Sequence, residues 1–443
     1  MIILNSINMK RFSLYFSLLI LVISQLSAQN DYNGFDLSKY YTPDIKRNSL
    51  EFQFNMNGSA TNYRDTTTAS SFNLQGTQLN FSNLLNTRKK ISTFQTGINV
   101  GLGYSKFTDK NFSFSNSDNV RWFNKLYYSG KHFFIYNATV NYYGYYSKIT
   151  KTQIPDISTY KSSEVNISPE IGWGIGRIER VEDARQAIYI LEEFMKNNVL
   201  NREMDKEEIF EFAQLISNVK NKRFLDSRLH RIDEISTLDN YLKNKGVLSN
   251  VDAPYFTSLY DMWDYGALYS RSSGLELTFK VSPAYYCKSN TNNNFYNQIK
   301  EYGVKSSVSF NYSKPVKLNW QHDFSANANF GIFDITQGEN DAKLYYVPGA
   351  ELSYKLNYYP TTRTSMYGET RYNVNYQQSR DETTNYLSQQ FLLGAGAHYY
   401  VSQNVRLSGY AGINSKMNKV NDFFYGENNS YIFFNFSLIY MFF

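Results

Sequence analysis

The sequence predicts an all-β, antiparallel transmembrane β-barrel of about 14 strands, with an α-helical insertion between strands 6 and 7. Three observations predict it. Apolar and polar residues alternate over most of the chain, the period of a strand with one apolar face. The connections between these segments alternate between short and long. The final stretch ends on aromatic residues, and every second residue back from Phe442 is apolar: Tyr440, Leu438, Phe436, Phe434 and Ile432.

Composition narrows the class. Aromatics reach 17% of 443 residues, with 40 Tyr and 33 Phe, while charged residues make up only 19%. A mean hydropathy of -0.49 excludes a polytopic helical membrane protein, but not a barrel, in which only alternate residues meet lipid. The net charge of +6 is spread without a basic run, so no nucleic acid is expected as a partner. Residues 1–28 read as a signal peptide: Lys10 and Arg11, an apolar core from Phe12 to Ile23, and a small-residue cleavage site at Ala28. A lone Cys287 leaves no internal disulfide framework.

Residues 29–47 lack periodicity and read as a tail or a short plug. Residues 48–176 hold the first half of the barrel. Leu50, Phe52, Phe54 and Met56 open strand 1, and in strand 2 the apolar row shifts between Leu74 and Leu79, as a β-bulge would require. Strand 3 sets Phe94, Ile98, Val100 and Leu102 against Gln95, Gly97, Asn99 and Gly101. Strand 4 sets Val120, Trp122 and Leu126 against Arg121 and Lys125. Strand 5 carries Phe134, Tyr136 and Val140, and strand 6 carries Ile167, Ile171 and Trp173. Gly172, Gly174 and Gly176 form no nucleotide loop, because they lie inside a strand and lack the G-x-G-x-x-G spacing. They leave lumen space for a plug or solute, or relieve curvature.

The pattern changes over residues 177–265. Between 177 and 246 there are 13 Lys/Arg and 14 Asp/Glu, and apolar spacing lengthens to three and four: Val181, Ala184, Ile188, Leu191, then Ile209, Phe212, Ile216. Asp205 with Glu208 predicts a capping box. A third helix is expected over Phe224–Leu242, stopped near Gly246, and a fourth over Tyr255–Tyr265 behind Pro254. Residues 266–443 resume alternation and hold strands 7–14. Short turns are expected at Asn86–Lys90, Ser129–Lys131, Ser313–Val316, Pro360–Arg363 and Ser402–Asn404. Long loops are expected at Lys106–Asp118, Cys287–Asn297 and Lys416–Ser430.

The alternating strands, the loop parity, the signal peptide and the Tyr440-Met-Phe-Phe443 terminus together resemble outer-membrane β-barrel proteins of Gram-negative bacteria. The resemblance implies residence in the cell outer membrane and contact with its lipid. It also implies engagement of the barrel-assembly machinery by the C-terminal strand, with 177–265 in the periplasm. The last strand should close the barrel against the first, near Leu50. The resemblance is generic for function, since that class includes porins, solute and lipid transporters, secretion parts and a few hydrolases.

The polar rows form the expected pore lining: Arg121, Lys125, Glu170, Glu276, Lys280, Lys305, Asp323, Glu351, Lys355, Glu369, Arg371, His398 and Arg406. Two readings of this lining stay open, a wet passage of mixed charge or a salt-bridge network filling a closed barrel. The leading function is a channel or transporter for small solutes. The alternative is a structural or assembly protein whose helices, with Glu193 and Arg228 as docking candidates, hold a periplasmic protein or the cell wall. A hydrolase is a third reading, centred on His398, but no catalytic motif supports it and no enzyme activity is expected. No metal cluster and no cofactor are expected.

Overall fold

The computed structural model describes residues 32, 35–62, 68–106, 109–151, 157–221, 230–293, 295–338, 342–381, 385–402, 405–420, 423–424 and 429–440. The expected signal peptide, Arg228, and the register of Phe442 and Phe443 fall outside these residues.

Fourteen antiparallel strands follow one another in a single sheet, each paired with its neighbours in sequence. They are β1 Ile45–Asn62, β2 Thr68–Asn86, β3 Lys90–Lys106, β4 Lys110–Ser129, β5 His132–Thr150, β6 Ile157–Arg180 and β7 Ser272–Asn292. Then come β8 Phe295–Val316, β9 Trp320–Gln337, β10 Lys343–Tyr358, β11 Thr364–Ser379, β12 Asn385–Ser402 and β13 Val405–Val420. The last, β14, consists of two pieces, Phe423–Phe424 and Asn429–Tyr440, both laid on β13. The bulge in strand 2 lies where the apolar row shifts, with the register jumping from Gln75 to Thr77.

Two expectations need correction. The segments read as long loops are strand. Lys110–Asp118 pairs with β3 on one side and β5 on the other, and Cys287–Asn292 pairs with β8. Cys287–Asn292 is polar on both faces, so alternation cannot reveal it, yet backbone pairing needs no apolar face. In Lys110–Asp118 only Phe112 and Phe114 carry the alternation, among Asn, Ser and Asp that read as loop. Likewise the β8–β9 turn begins at Lys317, past Ser313–Val316, which remains in β8. A membrane strand needs about 9–11 residues, whereas these run from 16 to 24 from β1 to β13, so they project well beyond any apolar belt. Secondly, no ladder joins β14 to β1 among the described residues, and both remain sheet edges. Ile432, Phe434, Phe436 and Leu438 face outward on β14, as expected, at 65–87% exposure.

Four helices sit between β6 and β7: α1 Glu182–Lys196, α2 Lys206–Asn221, α3 Arg231–Asn244 and α4 Ala253–Tyr265. The capping box is made as expected: the Glu208 backbone N–H donates to Asp205 Oδ1 at 2.8 Å, and Asp205 N–H donates to Glu208 Oε2 at 3.2 Å. Gly246, at φ +64, ends the third helix. The insertion boundary moves slightly, since β6 runs on to Arg180.

Ile188, Leu191, Phe194, Phe212 and Ile216 form the core of the helical body, each fully buried. Burying each of them contributes about 1.5–3 kcal/mol. The same core takes in Phe35, Leu37 and Tyr40 from the N-terminal stretch and Leu318 from the β8–β9 turn. Of the stretch read as tail or plug, the described residues Phe35, Leu37 and Tyr40 thus belong to the helical body, while Ile45–Arg47 open β1.

Contacts of this body with the strands lie at the short-turn end. Arg47 at the start of β1 meets Asp183, Arg185 meets Asn319 of the β8–β9 turn, and Arg363 before β11 meets Asp261. The Tyr269 hydroxyl donates to the backbone carbonyls of Arg363 and His398. One end of the sheet, at β1, the β8–β9 and β10–β11 turns and β12, therefore meets this one compact body.

Candidate functional site

The inner face of the barrel is the candidate site. Because strands alternate their side chains, residues paired across neighbouring strands line up in circumferential rungs. One rung runs Asn80, Gly97, Asn119, Asn141 and Asn166 from β2 to β6. It crosses a cavity of about 650 Å³ that is also lined by Gln95, Asn99, Arg121, Tyr143 and Glu164. A second cavity of about 480 Å³ adjoins it at Asn166 and is lined by Glu170, Lys280, Lys305 and Ser307.

Most of the expected lining residues are paired. Lys125 Nζ donates to both carboxylate oxygens of Glu276 at 2.6 Å, reaching across β5 and β6. Lys280 lies 3.1 Å from Glu170, which also accepts from Asn137 at 2.8 Å. Asp323 accepts from Gln321 and Asn357, each at 2.8 Å, and Glu351 from Asn373 at 3.2 Å. Glu369 accepts from the Tyr410 hydroxyl at 2.7 Å, and Lys355 sits 3.9 Å from the centre of the Tyr367 ring. Arg406 lies 5.9 Å from the Tyr400 ring.

Arg121, Lys305 and Arg371 are different. None makes a side-chain hydrogen bond, ion pair or ring contact among the described residues, and all three are exposed to the interior. The lining therefore combines both open readings: ion pairs knit neighbouring strands together, while three cations face open space.

His398 stands beside Ser408, with Nδ1 2.9 Å from the hydroxyl oxygen. Among the described residues its ring bonds include no carboxylate, so the orienting third member of a hydrolytic triad is missing there. Glu193, a docking candidate, is half-buried on α1 and accepts from Asn197 at 3.1 Å. Among the described residues no group of His, Cys, Asp and Glu could hold a metal ion.

Sequence reasoning missed the seal between the helical body and the barrel. Arg271, 2% exposed, donates to Gln321 Oε1 at 2.9 Å, the Leu318 carbonyl at 2.8 Å and the Trp320 carbonyl at 3.0 Å. Burial lowers its pKa to about 10, which leaves it charged at neutral pH. Arg185 stacks 3.5 Å over Tyr189 and donates to Asn319 Oδ1 at 3.0 Å. Between these arginines, Tyr269 and Tyr359 the remaining space is about 10 Å³, room for about one water. The run of charge around 180–185 signals a solvated face in the sequence, and only tertiary packing buries it.

No family model matches the chain, and no curated protein matches it. Among solved structures it is similar to a loop L8 deletion mutant of OmpT, an outer membrane protein of Vibrio cholerae. That likeness has 8% identity and a TM-score of 0.30 over 90% of this chain and 100% of that one. It is also similar to the Pseudomonas putida toluene transporter TodX, at 7% identity and a TM-score of 0.28 over 86% and 89% of the two chains. A third is the Ralstonia pickettii toluene transporter TbuX, at 7% identity and a TM-score of 0.27 over 88% and 92%. None of these likenesses assigns the chain to a subfamily.

Proposed function

We propose that the chain is an integral outer-membrane β-barrel that passes small solutes through its polar interior, with the helical body as a periplasmic cap. One observation carries this reading: water-accessible cavities of about 650 and 480 Å³, polar in their lining, lie behind an apolar outer wall. The wall includes Trp122, Phe134, Ile171, Phe279, Val308 and Leu352, each 44–58% exposed. Water would not favour so broad an apolar band, whereas lipid would. The cap meets the short-turn end tightly, so passage requires it to loosen or shift. No catalytic step enters this reading.

Single-channel recording of the full-length protein in planar bilayers tests it. Discrete current steps are expected, more frequent in Arg271→Ala, which loses the clamp on the β8–β9 turn. Silence in both proteins would overturn the reading.

A second reading, a cap that docks a periplasmic partner, is favoured by Ile232, 80% exposed on α3, with Phe256 and Tyr260 exposed on α4. A photo-crosslinker at Phe256 should then capture the same protein or cell-wall fragment in repeated trials. Capture of nothing in cells would remove it.

A further inference from the structure

We propose that the larger cavity is a binding site for neutral polyhydroxylated solutes, short oligosaccharides in particular, read by the amide rung of β2–β6. This rests on the solute-passage reading above and names its substrate class. The observation behind it is the chemistry of the rung. Asn80, Asn119, Asn141 and Asn166 share one level of the inner wall, and Gln95 and Asn99 flank it. Gly97 leaves the one gap in that level, and a Cβ there would lie 2.7 Å from Asn80 Oδ1, so the backbone yields space for the neighbouring amide.

A primary amide carries two donors and an acceptor in one plane. That matches a vicinal diol, in which adjacent hydroxyls each donate and accept. Asn119 already donates to Asn141, which fixes the planes of both side chains. Gln95 and Asn99 are exposed to the cavity and make no side-chain hydrogen bond among the described residues, so their amides face the interior without a protein partner. Tyr143, 40% exposed, adds a ring against which the apolar face of a sugar can lie.

Charge argues for the same class. Of the two carboxylates at the cavity, Glu164 is paired with Lys288 at 3.7 Å and Asp118 accepts from Asn116 at 3.2 Å, and Arg121 is the one cation there without a partner among the described residues. An anion site would gather several such cations, and a cation site several free carboxylates. The volume falls within the range of about 300–1,000 Å³ usual for small-molecule sites. Neutral hydrogen bonds are individually weak. A row of them suits a solute that must leave as readily as it enters.

The test uses maltotriose on the full-length protein, by calorimetry in detergent and as an additive during single-channel recording. Binding in roughly the millimolar range is expected, with brief interruptions of the current. Gln95→Ala/Asn99→Ala removes only side-chain groups that bond nothing among the described residues, and should weaken binding about tenfold. Currents that maltotriose leaves uninterrupted, with no heat of binding, would overturn the saccharide assignment and leave the pore standing. Equal binding of triglycine, a zwitterion with its own amides, would also overturn it. Heat that the double variant abolishes, in a protein that passes no current, would support the site and overturn the pore.

Discussion

Lys220 Nζ lies 2.6 Å from Asp183 Oδ1 inside the helical cap, and Arg47 of β1 reaches the other oxygen of the same carboxylate at 3.0 Å. Asp183 therefore fastens the first strand to α1 and α2 through one buried charge, and Ser217 donates to it as well. Burial raises the pKa of the carboxyl. The charges of Lys220 and Arg47 and the hydrogen bonds from Lys220 and Ser217 outweigh that, and the net shift is well below the ordinary carboxylate range.

A carboxyl whose folded pKa is depressed stabilises the fold above its unfolded pKa, about 3.9, and loses that contribution as pH falls toward the folded value. The protection factors of the cap-helix amides, exchange rates divided into the intrinsic rate at each pH, should be unchanged between pH 7 and 5 and fall below pH about 4. Asp183→Asn removes the counter-charge of two cations and should loosen the cap by about 3 kcal/mol at pH 7. Its protection factors should depend less on acid. Equal acid sensitivity in both proteins would assign the loosening to other groups.

Arg271 offers a separate handle on the cap. Its guanidinium serves three acceptors on the β8–β9 turn and the first residues of β9 with a planar fork that an ammonium cannot reproduce. Arg271→Ala should cost about 3 kcal/mol by leaving buried acceptors unpaired, and Arg271→Lys should recover less than half of it. Limited proteolysis at the β8–β9 turn measures this. Equal resistance in wild type and Arg271→Ala would show that the turn is held by packing around Leu318 alone.

The barrel was legible in the sequence wherever one face of a strand is apolar. Phe94 to Leu102 and Trp122 to Leu126 give alternation its meaning, and the bulge near Gln75 shows as a shifted row. Alternation fell silent in Cys287–Asn292, where both faces are polar and backbone pairing alone sets the strand. The helices were legible from their spacing and from the Asp205/Glu208 box. What stayed hidden depends on distant partners. Lys125 and Glu276 lie 151 positions apart in the chain, and Arg271 has no local pattern that marks it as buried. The asparagine rung is likewise invisible in one dimension, because registers across five strands place it.

Gly172, Gly174 and Gly176 now have a specific reason. A Cβ on Gly172 or Gly176 would lie 2.3 or 2.0 Å from a β7 carbonyl oxygen, and Gly174 faces the buried ring of Phe133. Gly176 also sits at φ +106, a region that disfavours L side chains. Close backbone approach explains these positions without invoking room for a plug. Gly176→Ala should impair β6–β7 pairing by about 1–3 kcal/mol, read as a lower fraction of folded barrel after refolding into detergent. A substitution at Gly130, where added atoms meet nothing, should be milder despite its φ of +53.

The membrane reading makes opposite demands on neighbours in one strand. Val308 of β8 is 45% exposed on the outer wall, whereas Ser307 lines the second cavity. A lysine at 308 would be forced into hydrocarbon, at a cost of about 2–4 kcal/mol near the bilayer midplane, while a lysine at 307 would meet water and Glu170 or Glu301. Urea-induced unfolding from lipid vesicles should therefore separate Val308→Lys from Ser307→Lys by that amount, with Ser307→Lys close to wild type. A soluble barrel, wet on its outer wall and packed within, demands the reverse order: lysine tolerated at 308 and costly at 307. The order of two adjacent substitutions thus decides which face of β8 meets lipid.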